Sequence, residues 1–176
     1  VGAEYGKYVS GEVMPMGSLK NNQILTGQQV QHGVIAFVSQ WNKSGTQMAG
    51  SFRTQEEFYG QTDRPILECL AQYAKRENKR LAIIARKRKH HDLRESEEAY
   101  FRGLLDEECE FLEPPGRLPS YQAIDAADVV VAVDSTLGYE AIARGKKTAI
   151  FSIRGSLLGI SGLTFGWPGD FPDDGP

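Results

Sequence analysis

Short apolar runs alternate with longer stretches of helical periodicity from residue 34 onward. Apolar runs of four to six residues, several of them β-branched, predict buried strands at 34–38, 81–85, 109–112, 129–133 and 148–153. Apolar residues spaced three or four apart predict helices from residue 63 onward and at 95–105, 120–127 and 136–144. Residues 39–60 read as a long polar loop. This alternation predicts an α/β fold, a Rossmann-like doubly wound parallel sheet with helices on both faces.

The first helix is predicted to open at Asp63-Arg64-Pro65, because proline is favoured in the first turn. Its apolar face is predicted from the spacing of Ile66, Leu67, Leu70, Tyr73 and Ala74.

Outside this region the chain is rich in glycine and short of periodicity. Residues 1–33 are interpreted as a linker or irregular segment, 34–160 as the ligand-binding domain, and 161–176 as a Gly/Pro-rich, truncated end. Because the chain begins at Val1 rather than at methionine, we expect a fragment of a longer protein.

Bulk composition excludes several classes of protein. The 176 residues suit one domain, and a net charge of −3 gives no overall basic field for nucleic acid. No apolar stretch approaches the roughly 20 residues that span a bilayer, so no transmembrane segment is expected, and no signal peptide is recognised. Cys69 and Cys109, the only cysteines, are expected to be small buried apolar groups in a reducing, cytoplasmic protein.

Residues 126–151 carry the most specific pattern, reading as strand, polar turn, helix and strand. The turn places Ser135 and Thr136 at the helix start, where hydroxyls and backbone N–H groups bind phosphate. Gly138 is expected to allow close approach of a ligand, and Glu140 to accept hydrogen bonds from ribose hydroxyls. The alternative is an ordinary helix cap with a glutamate in its first turn. There is no GxGxxG or Walker sequence.

Polar residues also follow the first and second predicted strands, at the same edge of the sheet. Ser39 and Trp41 follow the first strand, and the indole either stacks on a base or packs in the core. Arg86 opens a basic run, residues 86–91, that could neutralise a diphosphate or a sugar carboxylate; the alternative is a solvated loop. Adjacent histidines at 90 and 91 point different ways, so no metal site is expected.

The segment from Asp134 to Lys147, DSTLGYEAIARGKK, resembles the C-terminal domain of bacterial surface-carbohydrate glycosyltransferases of the two-domain GT-B type. Segments 17–22 and 165–169 resemble the pieces that bracket that domain. The similarity looks closest to enzymes of lipopolysaccharide and capsule synthesis, including Kdo transferases that use CMP-Kdo.

The resemblance implies a nucleotide-sugar donor, CMP-linked in the Kdo case, as substrate rather than cofactor. It implies that Ser135 and Thr136 meet the donor phosphate, that Glu140 lies near the ribose, and, less directly, that the segment around Arg86 contributes. A glycan acceptor and an N-terminal domain of the same protein are the implied partners. The catalytic group is expected on that domain or at the cleft, so the fragment alone could be inactive.

Three other functions fit parts of the pattern. A nucleotide-sugar epimerase of GT-B shape would keep the nucleotide contacts and differ in its acid and base groups. A non-catalytic nucleotide-binding or interaction module would show no selectivity for sugar nucleotides. Nucleic-acid binding through the basic run is opposed by the overall acidity.

Overall fold

The described part of the chain forms a five-stranded sheet with four helices packed on it. The structure is a computed structural model that describes residues 10–12, 33–42, 55–105, 109–115, 118–133, 135–151 and 153. The elements are β1 (Val34–Val38), α1 (Gln55–Arg76), β2 (Arg80–Ile84), α2 (Arg94–Leu105), β3 (Glu110–Phe111), α3 (Pro119–Ala126), β4 (Val129–Val133), α4 (Thr136–Ala143) and β5 (Lys147–Phe151).

All strands run parallel, in the order β3-β2-β1-β4-β5. β1 pairs with β2 on one side, Val34 opposite Arg80, and with β4 on the other, Ile35 opposite Val129. The chain therefore winds outward from β1 in one direction and then returns to wind in the other. This topology confirms the predicted doubly wound sheet and puts its switch point between β1 and β4.

The sheet is covered on both faces because β1 and β4 are apolar at every position. In β1 the side chains of Val34, Ala36 and Val38 join a core with α3 and α4. Ile35 and Phe37 point the other way, into a core with α1 and α2. Side chains that alternate along one strand therefore contribute to the hydrophobic cores on both faces of the sheet, as expected for a parallel sheet.

The first helix starts earlier than the sequence predicts. It begins at Gln55, so residues 55–60 are helical rather than loop, and Pro65 lies inside the helix. Proline removes one backbone N–H there and disfavours the helix locally. Burial of Phe58 and Thr62, one turn apart, anchors the extra turns, so tertiary packing prevails over the local signal.

Two side chains of α1 differ from expectation. Tyr73, assigned to the apolar face, is 39% exposed, and Cys69, expected to be buried, is exposed. Both lie beside residues that face the core, Leu70 and Ala74, at the margin of the apolar stripe. Helical spacing places these two residues next to the apolar face of α1. The contact of α1 with β1 and α2 is too narrow to bury them.

The other predicted elements occur, with boundaries that move by up to two residues at the strand and helix ends. Gly145 ends α4 in the left-handed conformation, φ 74°, as its position after the helix predicts. The predicted segments 1–33 and 161–176 lie almost wholly outside the described residues, as do Asp134 and the stretches 17–22 and 165–169.

Candidate functional site

The candidate site lies at the carboxyl ends of β1 and β4, where the sheet reverses direction. Ser39 follows β1 directly and Ser135 follows β4 after one residue. In doubly wound sheets, ligands bind in the crevice outside such a switch point. The arrangement therefore puts two of the predicted site residues on the two sides of the expected crevice.

Ser135 is the N-cap of α4. Its backbone is extended, φ −93° and ψ 129°, and its Oγ accepts a hydrogen bond from the Leu137 N–H at 3.3 Å. The residue is 7% exposed, while Thr136 beside it is exposed. Ser135 therefore caps α4, as the helix-cap alternative expects, and the more accessible hydroxyl at this helix end belongs to Thr136.

Gly138 faces the sheet. A Cβ built on this residue would lie 2.7 Å from the Cβ of Ala132 in β4 and 3.5 Å from side-chain carbons of Ile150. Glycine at this position therefore allows α4 to pack closely on β4. This packing role depends on a contact between two elements and is not visible in the local sequence.

Glu140 stands one turn after Thr136, on the same side of α4, and is half-buried. The hydrogen bond to Asp125 is the main cause that raises the pKa of Arg144, and the negative charge of Glu140 raises it further. This spacing puts a hydroxyl and a carboxylate on one stretch of helix surface, as a phosphate and a ribose would require.

Ser39 is engaged within the protein. It is 5% exposed, its hydroxyl donates to Glu97 Oε1, and its Oγ accepts the Trp41 N–H at 3.2 Å. Trp41 packs in the core, 1% exposed and 6.1 Å between ring centroids from Tyr100, which supports the packing alternative over base stacking.

Arg86 bridges the loops after β1 and β2. Its backbone N–H donates to Glu97 Oε1 at 2.8 Å, and its guanidinium donates to the Gln40 carbonyl at 3.0 Å. Lys87 repeats the pattern, with its N–H on Glu97 Oε2 at 2.8 Å and its Nζ on Asn42 Oδ1 at 3.0 Å. The following residues 88–91 are exposed.

Two charged residues of α2 that no local sequence pattern singles out organise this edge. Glu97 is fully buried and Arg94 is 4% exposed. Arg94 donates to the Lys87 carbonyl at 2.8 Å, pairs with Glu98 and Glu113, and lies 4.9 Å from the centroid of the Phe111 ring. Charged residues are common at the start of a helix, so the sequence alone does not distinguish Arg94 and Glu97. Their role is visible only from the tertiary contacts.

At the opposite, amino edge of the sheet the charges serve structure. Arg144 pairs with Asp125 of α3, and their side chains are 2% and 6% exposed. Lys146 donates to the carbonyls of Asp125 and Ala127, at the end of α3. Burial lowers the pKa of Lys146, partly offset by the charge of Asp125.

An open groove of about 610 Å³ lies between α1 and α2, apart from these loops. Gly60, Tyr100 and Gly103 are among the residues that line it, and none of the predicted site residues does. The switch point remains the better candidate because several predicted polar residues converge there.

Neither a metal cluster nor a membrane span is found in the part of the chain that the structure describes. No group of three or more His, Cys, Asp or Glu side chains there could hold a metal ion. No helix in those ranges combines the length and the apolar character needed to cross a membrane.

Comparison with known proteins identifies the family. No curated protein and no solved structure matches the chain. A family model described as "putative O-antigen biosynthesis protein" matches residues 1–176, the full length of the sequence. The chain therefore belongs to this O-antigen biosynthesis family.

Proposed function

We propose that this chain binds the nucleotide-sugar donor of a GT-B glycosyltransferase that builds cell-surface polysaccharide, in the cytoplasm. One observation carries the proposal: Ser39 and Ser135 follow β1 and β4 at the carboxyl edge, where the strand order reverses. The family supports a place in O-antigen biosynthesis, and the fold supports nucleotide binding at that edge.

The start of α4 would hold the donor phosphate. Backbone N–H groups and the helix dipole favour an anion there, and the exposed Thr136 hydroxyl adds a donor. Glu140, one turn later, would accept hydrogen bonds from the ribose. Gly138 would contribute by letting the helix approach β4 closely.

Positive charge from the β2 loop would complement the phosphate. When the sugar–phosphate bond breaks, negative charge grows on the leaving nucleotide, and fixed cations stabilise it. Arg86 already reaches across to the β1 loop, so its charge lies close to Ser39. This scheme uses hydrogen bonds and cations and needs no metal ion, and it leaves the acceptor base to a second domain.

Calorimetric titration with CMP, UDP, GDP and ADP tests the proposal. Selective binding of one nucleotide is expected, and selectivity for CMP would indicate a Kdo-like donor. No binding to any of the four would contradict the proposed donor site. Equal binding of all four would favour a general nucleotide module instead.

Glu140→Ala is expected to weaken binding of the preferred nucleotide by about 1–3 kcal/mol, because the charged acceptor of the ribose hydroxyls is lost. The same titration measures it, with circular dichroism to show that the variant is folded. Unchanged affinity in a folded variant would remove Glu140 from the site.

A further inference from the structure

The buried carboxylate of Glu97 connects α2 to the loop after β1 and to the loop after β2 at the carboxyl edge of the sheet. It lies in the first turns of α2 and accepts hydrogen bonds from the Ser39 hydroxyl and from the backbone N–H groups of Arg86 and Lys87. Ser39 belongs to the loop after β1, and Arg86 and Lys87 belong to the loop after β2. One side chain therefore fixes the relative position of both loops.

A carboxylate suits this task better than a neutral group. Its two oxygens offer about four acceptor positions, enough for three donors from two loops. An amide in the same place would offer one oxygen and would turn an N–H₂ group toward a backbone N–H. Burying the negative charge is costly unless donors compensate it, and these three donors do.

Arg94, three residues earlier on α2, completes the attachment. Glu97 accepts the N–H of Lys87, and Arg94 donates to the carbonyl of the same residue at 2.8 Å. Both backbone polar groups of Lys87 are thus held by buried charged side chains. The loop that carries the basic run is fixed at its base before any ligand arrives.

We infer that Glu97 is a positioning residue for the anionic ligand at the switch point. It sets the spacing between the Ser39 loop and the Arg86 loop, so the cations are placed without reorganisation when a phosphate binds. This inference rests on the proposed function and adds a residue that never contacts the ligand.

Glu97→Gln, compared with Asp128→Asn, tests the inference. Asp128 serves as the control at the opposite, amino edge of the sheet: its carboxylate also accepts a backbone N–H, that of Gly33 at 3.0 Å, although it is half-buried and pairs with Lys79. Both variants are titrated with CMP, UDP, GDP and ADP at a temperature where circular dichroism shows them folded. Glu97→Asp, which keeps both acceptors on a shorter side chain, serves if Glu97→Gln does not fold.

The expected result is an affinity loss of about 10-fold or more in the Glu97 variant, because misplaced binding groups lose much of their contribution. Asp128→Asn should bind like the unaltered chain. Equal affinity in the Glu97 variant, or an equal loss in both variants, would overturn the positioning role alone. Failure of the unaltered chain to bind any of the four nucleotides would instead overturn the proposed function, on which this inference rests.

Discussion

At the scale of single residues, polar side chains at the carboxyl edge serve the fold before they serve a ligand. Ser39 donates to Glu97, and Ser135 caps α4. Such contacts orient the side chains and the backbone around them, which is how a site is prepared in advance of binding. The exposed Thr136 and the half-buried Glu140 are better placed for direct contact.

Gly138→Ala is expected to destabilise the protein by about 1–3 kcal/mol, because an added Cβ would overlap the packed layer between α4 and β4. A Cβ built on Gly138 would lie 2.7 Å from the Ala132 Cβ, which leaves no room without a shift. Urea unfolding measures the effect.

Gly103→Ala is the control: it also lies in a helix, and an added Cβ there meets nothing within 4 Å. It should stabilise by about 0.5–1 kcal/mol. The reverse order would show that the packing at Gly138 is looser than described.

The two cysteines are expected to differ in reactivity. Cys69 is exposed, whereas Cys109 is half-buried and burial raises the pKa of its thiol above the ordinary value. Iodoacetamide at pH 8, followed by mass spectrometry, should label Cys69 first because thiolates react and buried thiols stay protonated. Since burial raises the folded pKa of Cys109, its contribution to stability is fully present below the pKa of an unfolded thiol and is lost as the pH rises through the folded value. Faster labelling of Cys109 would contradict the expected order of reactivity.

At the scale of elements, α3 and α4 are joined by a buried ion pair. Arg144, at the end of α4, donates through Nε to Asp125 Oδ1 at 2.8 Å and through a second nitrogen to Oδ2. The Arg144 guanidinium also lies 6.0 Å from the centroid of the Tyr121 ring. Two parallel hydrogen bonds fix the direction of approach as well as the distance, so the pair aligns the two helices on the sheet.

Arg144→Met is expected to cost about 3–5 kcal/mol in unfolding free energy, because it removes the guanidinium that donates two hydrogen bonds to the buried Asp125 carboxylate. The double variant Arg144→Met with Asp125→Leu should recover part of that loss, since it removes the second charge as well. Urea unfolding of the two single variants and the double variant completes the cycle. Strict additivity of the two single effects would mean that the pair is not coupled.

At the scale of the whole molecule, stability should be greatest in the middle of the sheet. β1 pairs on both sides, and its residues are 0–3% exposed. β5 lies at the end of the strand order, with Phe151 39% exposed. Paired and dry backbone amides exchange only through large openings, whereas edge amides exchange through local ones.

Native-state hydrogen exchange should therefore show β1 and β4 as the most protected strands. β5 should exchange faster, and β3, with only two residues in the sheet, faster still. Nuclear magnetic resonance or fragment mass spectrometry measures the order. Protection of β5 equal to that of β1 would mean that another segment covers this edge in solution.

Local sequence patterns are sufficient to predict the fold class and most of the elements. Continuous β-branched runs can be buried only in strands covered on both faces, so 34–38 and 129–133 were predicted with their exact bounds. Ser135 and Gly145 marked the two ends of α4, because capping and left-handed backbone depend on local chemistry.

Features that depend on contacts between distant residues become visible only in the folded chain. The extra turns of α1 are held by burial of Phe58, and Gly138 is explained by its approach to Ala132. Glu97 lies 58 residues from Ser39 and 11 from Arg86, so no local pattern shows that one carboxylate holds both loops. Local periodicity records which face of an element is apolar, whereas the partners of a buried charge are chosen by the packing of the whole chain.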